Sequence, residues 1–287
     1  MVGSIEKAKL PGIIGIEIYF PREYVEQSDL EQYDGVSSGK YTIGLGQTRL
    51  AVTTDAEDTQ SIMMTAVSRL VETSAVSYAD VGFLAVGTET IIDKAKTIRS
   101  TLMKLFEESG NFDVRGAEHL NACFGGSAAL FSAMDWIRSR SWDGRKAIVV
   151  CGDIATYAEG AARPTSGAGC VALLIGENAA IEIVHGSRVH HFQDVYDFYK
   201  PNFQSPYPVV DGQLSVECYM EAVMKCFESF KARQERNPDG TNKVCIKNAL
   251  ALLFHAPYCK IVQKAVTRME LLEHQYESNP NLPEAFK

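Results

Sequence analysis

The chain has 287 residues, of which 46% are hydrophobic and 22% charged, and a formal net charge of −8. That length allows one large or two ordinary domains with a sizeable core. The acidic balance argues against a broad nucleic-acid or membrane-surface footprint and leaves room for a local basic patch for an anionic ligand. Seven cysteines, an odd number with no C-x-x-C pair, suggest neither a disulfide framework nor a zinc ribbon.

The first residues, MVGSIEKAKLPG, hold no apolar h-region and are not Arg/Ser-rich, so no signal or transit peptide is expected. No apolar run approaches a membrane span. A reducing, cytoplasmic setting is the simplest expectation. Residues 12–21 (GIIGIEIYFP) predict a strand stopped by Pro21, and residues 34–47 a Gly/Ser-rich loop. Residues 53–73 predict an amphipathic helix with acidic residues in its first turns. A buried strand over 81–90 and a helix over 96–109 follow.

HLNACFGGSAALFSAMDWI (119–137) reads as a helix with Asn121 as its cap and Cys123 at its head. A cysteine in the positive field of a helix N-terminus is favoured as thiolate. The glycines at 125 and 126 read as places where a ligand approaches the backbone. A buried cysteine in tight helix packing fits the same pattern. Strands are predicted over 147–155, 167–176 and 181–189, then a long helix over 214–236 and a loop over 237–243. A strand over 249–255 (ALALLFH) and a helix over 257–277 close the chain. Strands alternating with helices, without domain-breaking linkers, indicate an α/β fold.

Two strand ends carry chemistry. The strand over 81–90 runs into Glu89, and ALALLFH finishes on His255. Open α/β folds gather ligands at the C-terminal ends of strands. Alone, Glu89 also fits a solvated loop carboxylate, and His255 a partly buried histidine before a proline turn. Cys, His and Glu together admit thiol hydrolysis, with Cys123 attacking and His255 as base. They equally admit thioester condensation, with Cys123 holding an acyl group and a carboxylate taking the proton beside its carbonyl.

The segments GKYTIGLGQ (39–47), VGTETIIDKAK (86–96), NACFGGSAALF (121–131), SWDGRKAIVVCGDIATYAEGAARPTSGAG (141–169), VYDFYKPN (195–202), YPVVDGQLS (207–215) and LLFHAPYCKIVQKA (252–265) occur in order over nearly the whole chain. Together they resemble the eukaryotic-type 3-hydroxy-3-methylglutaryl-CoA (HMG-CoA) synthase family. The resemblance implies a thiolase-like layered α/β fold (αβαβα), with its second half incomplete. Residues 1–178 would form the N-terminal half with the nucleophile, and 179–287 a partial C-terminal half with the histidine. It implies a homodimer that condenses acetyl-CoA with acetoacetyl-CoA in the mevalonate route to isoprenoids and sterols. Its partners would be CoA thioesters, with no nucleic acid, membrane, metal or resident cofactor.

Carried over by position, Cys123 is the acyl nucleophile, Glu89 the general acid/base and His255 the residue orienting the acetoacetyl group. Lys260 and Lys264, four apart on one helix face, would meet CoA phosphates. Ser38 and Lys40 lie in the loop resembling the nucleotide contact. Thr165 and Ser215 match substrate-contacting positions, and Asp153, Tyr157 and Asp197 match site-lining ones. For Asp153 and Asp197 a buried, hydrogen-bonded structural carboxylate fits as well. Because water hydrolyses an exposed thioester, the site is expected to be enclosed.

The chain departs from the pattern at Phe124, usually tyrosine, at Ala161, often asparagine, and at Ser166, usually glycine. Family members also continue beyond PNLPEAFK with GNMYTAS-like and YGSG-like segments. The second sheet is therefore expected to lack strands and to leave apolar surface uncovered. Two alternatives stand beside the synthase: an inactive paralogue acting as a binding or dimerising partner, and a β-branching condensing enzyme working on carrier-protein substrates.

Overall fold

The run VGFLAVGT is buried at all eight positions, Val81–Thr88. A strand reads as an unbroken apolar run only when both its faces are covered, and that is its situation in the computed structural model, which describes residues 10–184, 186–236 and 244–278. In chain order the elements are β1 (Gly12–Tyr19), β2 (Glu23–Glu26), α1 (Gln27–Tyr33), β3 (Arg49–Val52), α2 (Thr59–Thr73), β4 (Val81–Thr88), α3 (Ile98–Leu102) and β5 (Glu118–Leu120). There follow α4 (Gly125–Ile137), β6 (Lys146–Ala155), β7 (Gly167–Gly176), β8 (Ile181–Glu182), β9 (Phe198–Tyr199), β10 (Val209–Val210), α5 (Gly212–Glu235) and α6 (Cys259–Ser278).

The chain divides into two compact units, the first drawn from the described residues of 1–24, 51–155 and 167–184. Its sheet has the order β5-β4-β6-β7-β1-β8. β4 pairs in parallel with β5 and β6, whereas β7 runs antiparallel to both β6 and β1. Side chains alternate across the pleat. Leu84, Val86, Ile148 and Val150 face a core with Ile62, Ala66 and Leu70 of α2 and with Phe106. Phe83, Ala85, Ala147 and Val149 face the other core, with Ala129, Ala133, Met134 and Trp136 of α4.

The second unit is drawn from the described residues of 25–50, 156–166 and 185–287. Phe227 of α5 and Ile261, Ala265 and Leu272 of α6 are buried. Lys231 of α5 meets buried Glu273 of α6 at 2.6 Å. The other oxygen of Glu273 accepts the Ile246 N–H at 2.8 Å, which ties the turn at 246–248 to the helix pair.

Several boundaries differ from the sequence expectation. α2 starts at Thr59, not at 53, because Asp58 caps it: its carboxylate accepts the Ser61 N–H at 2.7 Å and the Ser61 hydroxyl lies 2.9 Å from the Asp58 N–H. The expected helix over 96–109 is α helix only to Leu102 and then a 3-10 helix, Met103–Ser109. Its end is fixed by Asn111, whose amide donates to the carbonyls of Tyr78 and Val81. Of the strand expected over 181–189, the described residues form only β8, and residue 185 lies outside them. Beyond β8, Ile183 comes opposite Pro11, which has no N–H to continue the ladder.

Residues 249–255 form no strand. Leu250 and Leu253 are fully solvent-facing, and no described strand pairs with the segment. An apolar run requires burial to become a strand, and pairing is what supplies the hydrogen bonds. The expected loop over 237–243 lies outside the described residues.

Candidate active site

In the first unit the site is built where β4 ends. Parallel pairing places Gly87 beside Cys151 of β6, so Thr88 and Glu89 emerge next to Asp153. One oxygen of Asp153, Oδ1, accepts the Thr88 hydroxyl at 2.6 Å, the Glu89 N–H at 3.0 Å and the Thr90 hydroxyl at 2.8 Å. The Thr88 hydroxyl in turn accepts the Thr90 N–H at 3.1 Å. Asp153 is thus a clamp that fixes the turn carrying Glu89. Burial pushes its carboxyl up to about 6, the nearby Glu89 charge adds to this, and the threonine hydrogen bonds oppose it.

The clamp carries its own pH signature. The folded chain keeps the Asp153 proton up to about pH 6, whereas an unfolded aspartate releases it near about 3.9. This group alone therefore makes the fold less stable as pH rises across that window. Protonation weakens the carboxylate as an acceptor. A rate that depends on Glu89 is expected to fall on the acid side with an apparent pKa of about 6. Asp153→Asn keeps a neutral acceptor at Oδ1 and is expected to abolish that acid limb. A pH–rate profile of the two proteins checks it.

Cys123 lies in a 3-10 turn, Ala122–Phe124, that leads into α4. The Asn121 side chain makes no capping bond; its carbonyl accepts the N–H groups of Phe124 and Gly125. Ala122, just before the cysteine, has a φ of 32°, a left-handed conformation that a side-chain-bearing residue adopts at a cost. Cys123 is exposed, so the expectation of an enclosed thiol is not met within this unit. Burial raises the thiol pKa of Cys151, Cys170, Cys218 and Cys226 and so disfavours their thiolates. Cys259 is also exposed, but it opens α6 in the other unit.

The two glycines after Cys123 are closely approached by the protein itself on the side where a Cβ would stand. A Cβ on Gly125 would lie 2.6 Å from the His119 carbonyl and 3.0 Å from the Thr88 nitrogen, and one on Gly126 2.9 Å from Cys151 Cβ. The glycines let α4 begin directly on the end of β4, which brings Cys123 and Glu89 to the same end of the sheet. Gly125→Ala is expected to cost about 1–3 kcal/mol, read as a lower denaturation midpoint.

The second unit gathers the other candidates in two groups. Ser38 and Lys40 are exposed on the loop after α1, and Leu45 of that loop accepts the Lys260 N–H at 3.1 Å. Lys264 and Arg268 continue the same face of α6, and with Lys260, Met220 and Leu271 they line a cleft of about 340 Å³. The sequence reading missed Arg268, although its spacing after Lys264 repeats that of Lys264 after Lys260. Gln27 and Gln47 both donate to the Pro164 carbonyl, at 2.7 and 2.9 Å, which fixes Thr165 to the same loop. The Thr165 hydroxyl donates locally to Ala162. Ser166, one of the departures, is not mere bulk: its hydroxyl accepts the Tyr157 N–H at 3.1 Å.

The second group lies at the start of α5. The Asp197 carbonyl accepts the Asp211 N–H, the Asp211 carboxylate caps the helix at Leu214, and Ser215 sits in the first turn. Tyr157 reaches this region through an edge contact with Phe198, centroids 6.1 Å apart. His255 is exposed at its edge, yet the protein around it displaces enough water to lower its pKa below the ordinary imidazole value. Tyr219 of α5, which the sequence reading also missed, donates its hydroxyl to the His255 carbonyl at 2.8 Å. No helix among the described residues is long and apolar enough to cross a membrane.

Comparison with known proteins adds an independent finding. Residues 7–180 match the model of the hydroxymethylglutaryl-coenzyme A synthase N-terminal family, and residues 181–286 that of the C-terminal family. The cytoplasmic hydroxymethylglutaryl-CoA synthase of Rattus norvegicus is 53% identical over 271 residues, 93% of this chain and 52% of that protein. The mitochondrial hydroxymethylglutaryl-CoA synthase of Homo sapiens is 49% identical over 90% of this chain and 51% of its own length. Among solved structures, MvaS in complex with 3-hydroxy-3-methylglutaryl coenzyme A is 35% identical, with a TM-score of 0.84 over 92% of this chain and 63% of that one. The chain spans about half the length of the curated relatives it matches.

Proposed function

Because this chain belongs to the hydroxymethylglutaryl-coenzyme A synthase family, we propose that it condenses acetyl-CoA with acetoacetyl-CoA and water to give HMG-CoA and CoA. The observation that carries this reading is the Asp153 clamp: it orders the turn bearing Glu89 at the sheet end where α4 presents Cys123. The Cys123 thiolate attacks the acetyl carbonyl and expels the CoA thiolate, which leaves an acetyl thioester on the enzyme. Glu89 takes a proton from the acetyl methyl group. The resulting carbanion adds to the ketone carbon of acetoacetyl-CoA, and the ketone oxygen gains a proton. Water then cleaves the thioester to Cys123 and frees the thiol.

His255 is assigned to the acetoacetyl group, where a lowered pKa keeps the imidazole neutral and able to donate one hydrogen bond. Lys40, Lys260 and Lys264 are assigned to the phosphates of CoA, with Ser38 beside them; Thr165, Ser215, Tyr157 and Asp197 are assigned to lining the substrate path. The relatives named above support a place in the mevalonate route, and the higher identity is to the cytoplasmic form. A cytoplasmic homodimer without resident cofactor or metal completes the reading. The test is incubation with acetyl-CoA and acetoacetyl-CoA, with HMG-CoA followed by mass; no product from folded protein overturns it.

A second reading, a binding partner of a longer synthase, is favoured by one observation: Leu250 and Leu253 face solvent in a segment with the sequence of a buried strand. Co-purification with such a synthase, without acetyl gain on Cys123, selects it.

A further inference from the structure

Glu31 belongs to none of the family motifs singled out above, yet it is one of the few buried charged residues, 3% exposed on α1. Its carboxylate is filled by one loop. Oε1 accepts the Tyr41 N–H at 2.7 Å, the Thr42 N–H at 2.9 Å and the Thr42 hydroxyl at 3.1 Å; Oε2 accepts the Gly39 N–H at 2.9 Å. Gly39 has a φ of +87°, so the backbone there folds back to aim these donors at one point. The residues held in this way flank Lys40 and follow Ser38.

A second set of contacts fixes the loop's far side. Tyr41 donates its hydroxyl to Asp34 at 2.8 Å, and Asp34 pairs with Arg163. Leu45 takes the Lys260 N–H. One buried carboxylate therefore sets where the loop's cation stands with respect to the α6 lysines.

We propose that Glu31 is the positioning residue for recognition of the adenosine-phosphate end of CoA, acting through the 38–42 loop and touching no ligand itself. The proposal rests on the CoA-thioester reading of the preceding subsection. The N–H of Thr42 foremost, and that of Gly39 next, hold the Glu31 carboxyl down at about 2, so the clamp is charged at every pH at which the protein would work.

Glu31→Gln is a selective probe. Its carbonyl oxygen replaces Oε1 and keeps three donors, while its amide turns a donor toward the Gly39 N–H and breaks that one bond. The test compares equilibrium binding of CoA and of pantetheine, which lacks the nucleotide, to wild type and Glu31→Gln. The expected result is a roughly tenfold loss for CoA, unchanged pantetheine binding, and faster amide hydrogen exchange confined to residues 39–42. Equal losses for both probes, or unchanged CoA binding, overturn the proposal. A wild-type chain that binds neither probe overturns the CoA reading as well. Should Glu31→Gln not fold, Thr42→Val deletes one donor alone, and the same CoA-selective loss is expected at about threefold.

Discussion

Cys123→Ala is expected to lose the acetyl adduct entirely and to lower condensation by roughly 10⁶-fold, the scale on which enzymes lose rate with their nucleophile. The expectation rests on position. Burial raises the pKa of four of the seven thiols and so disfavours the thiolate that attacks a thioester, and Cys245 is half-buried. Of the exposed pair, Cys123 belongs to the unit in which β4 delivers Glu89, and stands at that end of its sheet, whereas Cys259 opens α6 in the other unit. The close backbone contact of Gly125 with Thr88 and of Gly87 with Gly125 fixes that arrangement without help from long side chains. Intact-protein mass after incubation with acetyl-CoA checks the adduct, and Cys259→Ala is expected to keep it.

Glu89→Gln is expected to separate the two halves of the reaction. The glutamine keeps the backbone N–H that donates to Asp153, so the turn stays in place and Cys123 still acquires its acetyl group. Glutamine accepts no proton, however, and the carbon–carbon bond-forming step is expected to slow by about 10²–10⁴-fold, the usual worth of a positioned general base. Two measurements follow this: the rate at which acetoacetyl-CoA discharges the acetyl adduct, and the uptake of deuterium from solvent into its methyl group. Both are expected to fall together in Glu89→Gln. Discharge at the wild-type rate would remove Glu89 from the chemistry.

The parts of the molecule that were legible in the sequence are those governed by burial over short stretches. β4, β6 and β7 lie in the middle of a sheet covered on both faces, so their apolar runs name them directly. Glu89 was legible because it follows such a run. Residues 249–255 carry the same kind of pattern and form no strand, because pattern reports the demand for burial while pairing depends on a neighbour. Asp153 was legible as a buried, hydrogen-bonded carboxylate, but what the two clamps grip was illegible for a related reason. Asp153 grips a turn 63 to 65 positions away. Glu31 grips a loop 8 to 11 positions on, through backbone N–H groups that carry no side-chain signature. The glycines after Cys123 show in the sequence that something approaches closely, and the fold adds that the end of β4 and Cys151 do so.

The measurement that tests the central claim most directly is intact-protein mass spectrometry of the wild-type chain with acetyl-CoA, followed by peptide mapping and then by addition of acetoacetyl-CoA. The account predicts one acetyl group, located on Cys123 and discharged as HMG-CoA. An acetyl group on Cys259 instead, or none on a chain shown to be folded, would contradict it.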